Sequence, residues 1–393
     1  MQMYRYMEYV IITGASIDNL GAESMTCIAI EEAERLAPDC KIILASTDKR
    51  GMQKFINYDV HSYTFPLSLE NYKHSVIGKI IKKRISTNYD VYYNKILPNT
   101  RYIIDISGYA FTTKFGMNSI YEYLNRIYVA KCYKIKVIIM SQSFGPIMYT
   151  SFIEKITTNF LIKYIFKYPL LVVAREKRGY DFMRKYIKKN LVYKPDMVLL
   201  YQDDIDYKKL RRLTYEHSKD EVTAQKKVGI IPNQKIIEKT KIGNKYIEIL
   251  LKIISILKDK KIDAELIVHC GLDKEICNQI LNQCNDNINI VDCTEYGAGM
   301  FDVIVNQYQF IIASRYHAIV HAYRKRIPAL VMGWENKYNE LLEMMNQKEY
   351  MFDCREYIDE RNVYETLERL LAEFENEKNN LEDKLKEIYE KYR

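Results

Sequence analysis

The sequence predicts an α/β protein built from two Rossmann-like domains. Three observations carry that reading. Short apolar runs alternate with helix-length amphipathic stretches on both sides of the chain's middle, as parallel sheets require. The 393 residues are too many for one ordinary core. A polar, charged stretch from Tyr201 to Lys226 separates the two alternating halves. The expected layout is an N-terminal domain over 1–205, a linker over 206–226, a C-terminal domain over 227–356 and a charged terminal helix over 357–393.

The elements follow in order. Tyr9 to Gly14 reads as a first strand ending in glycine, Glu23 to Leu36 as a helix and Lys41 to Ser46 as a second strand. Between Lys49 and Asn99 the pattern is less regular, with a strand at Tyr63 to Pro66 and a basic amphipathic stretch at Ser75 to Lys83 that suits a membrane or a glycan. Strands follow at Tyr102 to Tyr109, Lys136 to Ser141 and Leu170 to Glu176, and helices at Asn118 to Cys132, Glu154 to Phe166 and Lys177 to Tyr186. In the second half the strands are Lys227 to Pro232, Asp263 to His269, Ile288 to Val291, Phe310 to Ala313 and Ile327 to Met332. The terminal helix places Leu367, Leu370, Leu371 and Phe374 on one face, to fold back onto the first domain or to project into solvent.

Composition narrows the function. With 48% hydrophobic and 28% charged residues the chain is globular. No apolar run reaches the roughly 18 residues that span a bilayer. The N-terminus lacks a signal peptide's apolar core, so the expected address is cytoplasmic, either free or peripheral at the inner face of the membrane. The net charge of +8 is spread along the chain without a nucleic-acid motif, so nucleic acid is not the expected partner. Cys270, Cys277 and Cys284 fall seven apart but fit no zinc spacing, so buried thiols are expected and no metal. His321 lies one turn after His317, but the pair lacks the Glu of H-E-x-x-H, so His321 is expected to pack.

The chemistry concentrates between Phe310 and Lys337. Phe310 to Ala313 is a buried strand, and Ser314 is expected to cap the helix that follows, with Arg315 and His317 in its first turn. Open parallel sheets bind ligands outside the carboxyl ends of their strands, and a helix N-terminus there attracts anions. An Arg and a His at that point suit a phosphate or a carboxylate. Ser314-Arg315-Tyr316-His317-Ala318, followed by Ile327-Pro328 and Lys337, resembles the signature of the polysaccharide pyruvyl transferase family, which usually reads S/G-R-L-H-A, then G-I-P, then a lysine. Tyr316 stands for the Leu and Arg326 for the Gly.

Shorter stretches extend the resemblance. Gly14, Asn19, Gly21 and Glu23 match the family's glycine followed by N-x-G-D/A-E, with Ala22 in place of the frequent Asp. Either Glu23 orients a sugar hydroxyl there, or Asn19 and Gly21 shape a turn and Glu23 complements the helix dipole. Tyr102 to Tyr109 resembles the family's D-x-x-x-x-G-G-G segment, with Ser107 and Tyr109 replacing glycines. Gln142-Ser143-Phe144-Gly145-Pro146 resembles G-Q-S-x-G-P, with Ser141 for the first Gly. Gln142 and Ser143 are candidate substrate contacts or parts of a structural turn. Arg175-Glu176 matches V-R-D/E. Arg175 either points at the same cleft as Arg315 or pairs with Glu176.

The resemblance implies two Rossmann-like domains facing across a cleft, as in GT-B glycosyltransferases. It also implies transfer of the pyruvyl unit of phosphoenolpyruvate to two hydroxyls of a sugar, giving a cyclic ketal and phosphate. On that reading Arg315 and His317 are catalytic, His317 as the proton donor. Arg175 and Lys337 hold the donor, with Asn19, Gly21, Glu23, Gln142, Ser143 and Ser314 as further substrate contacts. Phosphoenolpyruvate is a substrate, and no cofactor is called for. The expected partners are that donor and a cell-envelope glycan or lipid-linked sugar, with membrane contact and self-association left open. Two rivals stand beside it. A nucleotide-sugar glycosyltransferase would use Arg315 and Lys337 on a diphosphate, but Glu335, Glu340 and Glu343 miss the E-x₇-E spacing for a ribose. A non-catalytic anionic-glycan binder is the other, favoured by the replaced glycines and disfavoured by the joint presence of Arg315 and His317.

Overall fold

A computed structural model describes residues 7–17, 19–46, 58–61, 92–210, 227–284 and 288–393. The strand expected at Tyr63 to Pro66, the basic stretch Ser75 to Lys83 and most of the linker, 211–226, lie outside those residues. The chain divides into two compact units. The first comprises Met1–Ser16 and Met25–Met197, the second Ile17–Ser24 and Val198–Arg393. The first unit thus ends at Met197, and a short segment near the N-terminus counts with the second unit.

In the first unit the strands are β1 (Tyr9–Thr13), β2 (Lys41–Ala45), β3 (Asp59–His61), β4 (Thr100–Asp105), β5 (Lys136–Gln142), β6 (Leu171–Ala174) and β7 (Leu191–Tyr193). They form one seven-stranded sheet in the order β3-β2-β1-β4-β5-β6-β7. Every pairing in it is parallel. Its main helices are α1 (Leu20–Leu36), whose residues 20–24 count with the second unit, α2 (Met117–Cys132), α3 (Phe152–Ile165) and α4 (Lys177–Met183). Phe111, Tyr123, Phe144 and Phe166 interlock in the core, with ring centroids 5.1 to 6.2 Å apart.

The second unit has β8 (Lys227–Ile231), β9 (Asp263–Val268), β10 (Asn289–Asp292), β11 (Phe310–Ala313), β12 (Ala329–Gly333) and β13 (Met351–Asp353). Its six-stranded sheet runs β10-β9-β8-β11-β12-β13, again all parallel. That order is the doubly wound Rossmann arrangement, and its direction reverses between β8 and β11. The helices are α5 (Gln234–Lys239), α6 (Lys245–Asp259), α7 (Lys274–Gln283), α8 (Ala298–Ile304), α9 (Tyr316–Arg324), α10 (Asn336–Met344) and α11 (Glu360–Tyr392). Val363, Leu367 and Leu370 of α11 join the core of this unit, and Leu381, Leu385 and Ile388 are buried farther along. The terminal helix thus packs on the second unit rather than the first. The expected fold class holds: both halves are parallel α/β sheets wrapped by helices.

Two of the four residues that replace signature glycines are informative. Ser141 and Arg326 both have left-handed backbone, with φ of 51° and 62°. Each keeps the conformation glycine adopts freely, at a cost of about 1–2 kcal/mol. Ser141 offsets this by accepting a 3.0 Å hydrogen bond from the Met197 amide. The Arg326 side chain makes an exposed ion pair with Glu382 at 3.4 Å. Thermal unfolding is therefore expected to show Arg326→Gly at or slightly above wild type and Arg326→Val lower by about 1–3 kcal/mol. Equal midpoints for the two variants would contradict this account of the position.

Candidate active site

The predicted site residues fall into two groups, one in each unit. In the second unit the sheet direction reverses between β8 and β11, and the segment after β11 is stitched down by Ser314. Its carbonyl accepts from the Asn233 amide (2.8 Å) and the Tyr338 hydroxyl (2.9 Å), while its Oγ lies 2.7 Å from the Tyr246 hydroxyl. Ser314 is therefore not the helix cap that the sequence suggested. Arg315 occupies that position with extended backbone and no side-chain cap, because the Ser314 hydroxyl is already spent on Tyr246.

Arg315 is held by Asp273, which precedes α7. The guanidinium donates Nε at 2.8 Å to one carboxylate oxygen, and its Nη2 forms a very short contact with the other. Asp273 is fully buried and also accepts from the Gln234 amide at 3.1 Å. A planar fork gripped along one edge has a fixed orientation, and the Nη1 edge is the one Asp273 does not take.

His317 sits in the first turn of α9 with its ring against Gly21 of α1. A Cβ built on Gly21 would lie 2.0 Å from His317 Cγ and 2.2 Å from Nδ1. Tyr316 meets the same ring edge-on at 5.3 Å. The Lys337 ammonium lies 5.5 Å above the Tyr316 ring and 2.9 Å from Glu335. Tyr316, where the family carries Leu, is thus an aromatic wedge between the lysine and the histidine.

The N-terminal motif resolves in the second unit as well. Asn19 Oδ1 accepts from the Gly21 amide at 3.0 Å, and the Asn19 carbonyl accepts from the Glu23 amide, so Asn19 starts the helix. Glu23 is fully buried, and its carboxylate accepts from the Ala298 amide at the start of α8 (3.1 Å). It complements a helix terminus, though that of α8 and not its own. A sugar-orienting role does not fit that burial.

Sequence reasoning missed the partners of His321 behind α9. His321 is fully buried, with Nδ1 2.5 Å from Asp302 and Nε2 3.0 Å from the Ser24 Oγ. Asp302 also accepts from Arg324 Nη1 (2.9 Å) and the Tyr207 hydroxyl (3.2 Å). Ser24, His321 and Asp302 reproduce the order of a Ser-His-Asp triad, but Ser24 is fully buried and bonded to the Leu20 carbonyl, so it is no nucleophile. The network ties Ser24, α8 and α9 together within the second unit. Because both ring nitrogens of His321 are engaged, the histidine packs as expected. Among the described residues no group of three or more His, Cys, Asp or Glu is placed to hold a metal.

Burial pushes the Asp302 carboxyl up, but His321, and after it Arg324 and Lys325, outweigh this and hold it at about 2, below its ordinary 3.8. A depressed carboxyl contributes stability that is complete above its unfolded value and lost as pH falls through the folded one. Asp302→Asn should cost about 3–5 kcal/mol in denaturant unfolding at pH 7, since it leaves buried cationic partners uncompensated. The gap to wild type should close as pH drops from about 4 toward 2. A constant gap over that range would contradict the pairing.

His269, at the end of β9, is buried edge-on to Phe301 at 5.0 Å. Burial, and after it the neighbouring His321, Arg315 and His317, pulls its pKa well below the ordinary 6.5. The unfolded chain therefore takes up a proton that the fold refuses. Stability should fall by up to about 1.4 kcal/mol per pH unit below about 6.5, and His269→Leu should flatten that slope. An unchanged slope in the variant would refute it.

In the first unit Gln142, Ser143 and Arg175 lie together at the carboxyl edges of β5 and β6. The Arg175 Nε donates to Ser143 Oγ (2.9 Å) and Glu176 (3.0 Å), and Nη1 to Asp196 (2.9 Å). Ser143 donates to Glu176 at 2.7 Å, and its amide to the Gly108 carbonyl at 2.8 Å. All of these side chains are buried. Arg175 makes the pairing with Glu176 that the sequence left as its alternative, and Asp196 joins it. Its guanidinium serves two carboxylates and does not present an open anion anchor. Gln142 and Ser143 are likewise turn-builders, with the Gln142 amide turned onto the Ser143 carbonyl at 3.3 Å.

Solved structures share the fold at low identity. UDP-GlcNAc 2-epimerase from Neisseria meningitidis, bound to UDP-GlcNAc, aligns with a TM-score of 0.53 and 13% identity over 95% of this chain and 94% of that one. The Methanocaldococcus jannaschii UDP-GlcNAc 2-epimerase gives 0.52 and 13% over 92% of each chain. The glycotransferase of kitacinnamycin gives 0.50 and 10% over 98% and 96%. These likenesses speak to fold alone. Comparison with curated proteins gives no significant match. The family model for polysaccharide pyruvyl transferase matches residues 19–336, from the Asn19 turn past the Arg315–His317 signature. The chain is a member of the polysaccharide pyruvyl transferase family.

Proposed function

We propose that the protein transfers the pyruvyl group of phosphoenolpyruvate to two hydroxyls of a sugar in a cell-surface glycan or its lipid-linked precursor. The observation that carries this is the turn after β11, where Arg315 is oriented by Asp273 and His317 is braced by Gly21 at the switch point of the second sheet. Arg315 supplies paired N–H donors to the anionic donor substrate, and Lys337 adds a charge beside Tyr316. His317 protonates the enol methylene, which becomes the methyl group. One sugar hydroxyl adds to the cation-like carbon, phosphate leaves with the enol oxygen, and the second hydroxyl closes the ketal. Of the two hydroxyl protons, one replaces that given by His317 and one goes to phosphate.

The test is purified protein incubated with phosphoenolpyruvate and a panel of free, polymeric and lipid-linked sugars. Acceptor-dependent phosphate release with a new ketal methyl resonance supports the reading. Turnover of a nucleotide-sugar by the same preparation, with phosphoenolpyruvate untouched, would replace it with glycosyl transfer.

A further inference from the structure

Helix α3 is apolar on both sides. Its inner face buries Ile162 and Ile165 in the first unit. Its outer face carries Phe152, Ile153, Ile156, Phe160 and Tyr164, of which Phe152 is 75%, Ile153 74% and Phe160 67% exposed. At 100° per residue these five fall within an arc of about 120°. Met148 and Phe115 are exposed as well, and their loops are joined by the Met148 amide donating to Thr113 Oγ1 at 2.9 Å. A run of large apolar side chains left exposed on one helix face marks an interaction surface.

The flanks identify the partner. Lys155, Lys163 and Lys167 lie exposed on or just after the helix, against Glu154 as its acid. Lys131 reaches over the Tyr164 ring at 4.3 Å, and Lys114 over Tyr109 at 5.2 Å. The Tyr186 hydroxyl donates to Asn159 of α3 at 2.8 Å, and Arg184, Lys185, Lys188 and Lys189 neighbour that tyrosine in sequence. By the same 100° step Lys155 flanks the stripe and Lys163 falls within its arc, and an aromatic stripe accompanied by lysines is the pattern of a helix lying in a bilayer interface. A second copy meeting this face about a two-fold axis would set lysine against lysine, whereas an anionic lipid surface satisfies stripe and lysines together. No described helix is long and apolar enough to cross a membrane, so the contact is peripheral.

We propose that the outer face of α3 docks the protein onto an anionic membrane surface, with Ile153, Ile156 and Phe160 entering the acyl boundary and the lysines meeting headgroups. This inference stands on the first unit alone and does not depend on the transfer chemistry. The experiment is flotation of the full chain with phosphatidylcholine vesicles, with and without phosphatidylglycerol, alongside light scattering for oligomeric state. Wild type should float with the anionic vesicles and release in high salt. Ile153→Ser with Phe160→Ser should weaken partition at least about tenfold, and Lys163→Glu with Lys167→Glu should weaken it about fivefold per lysine, without loss of fold by circular dichroism. Equal flotation of the serine variant and wild type would overturn the proposal. So would failure of wild type to float, or a dimer that the serine substitutions dissolve in the absence of vesicle binding.

Discussion

Arg315→Ala will bind phosphoenolpyruvate at least about a hundredfold more weakly than wild type, because two charge-assisted hydrogen bonds of about 1.5–3 kcal/mol each are lost. The same change strips the buried Asp273 of its partner, so the variant should also be less stable by about 3–5 kcal/mol. The two effects separate. Arg315→Ala with Asp273→Ala removes the orphaned charge and should recover much of the stability, yet it should not recover binding. Arg315→Lys should remain weak too, since an ammonium cannot be oriented along one edge by Asp273 and still offer the other. Calorimetry with phosphoenolpyruvate, beside denaturant melts, reads both. Wild-type affinity in any of the three would show that Arg315 serves only Asp273.

The second large effect is expected at a residue with no functional group. Gly21→Ala would put a methyl 2.0 Å from His317 Cγ and 2.4 Å from its Cβ. Because the clash reaches the root of the side chain, rotating the ring cannot relieve it; α9 or the first turn of α1 must shift. Displacement of about 1 Å costs on the order of a hundredfold in rate, so kcat should fall at least that far. Phosphoenolpyruvate affinity should change much less, because Arg315 is fixed separately by Asp273. The variant should still fold, with alanine's better helix propensity offsetting part of the overpacking. Unimpaired kcat would mean that the His317 ring position is immaterial to turnover.

These two cases also show what the sequence discloses. The signature block, the strand before it and the alternation of strands and helices were legible, because buried parallel strands are written as continuous apolar runs and helix N-termini have local rules. Gly21 was visible as a motif glycine, but its reason was not: the contact with His317 joins residues nearly 300 positions apart. Asp273 and Asp302 were invisible for the same cause. Each looks like an ordinary surface acid until the fold buries it beside Arg315 or His321. Arg175 erred in the opposite direction. A strand-end arginine reads as a ligand anchor, and only burial with Glu176 and Asp196 reveals an internal brace. Ser314 was read as a cap because local rules favour serine there, and the Tyr246 hydroxyl, 68 positions away, claims it instead. Short strands such as β3, β7 and β13, of three residues each, are too brief to leave a periodic signal.

The most direct test of the central claim is calorimetric titration of the wild-type protein with phosphoenolpyruvate, run beside a panel of nucleoside diphosphates. The account predicts saturable phosphoenolpyruvate binding that is retained in His317→Ala and lost in Arg315→Ala, with no comparable diphosphate binding. A diphosphate that binds tightly through Arg315 while phosphoenolpyruvate gives no heat would contradict it.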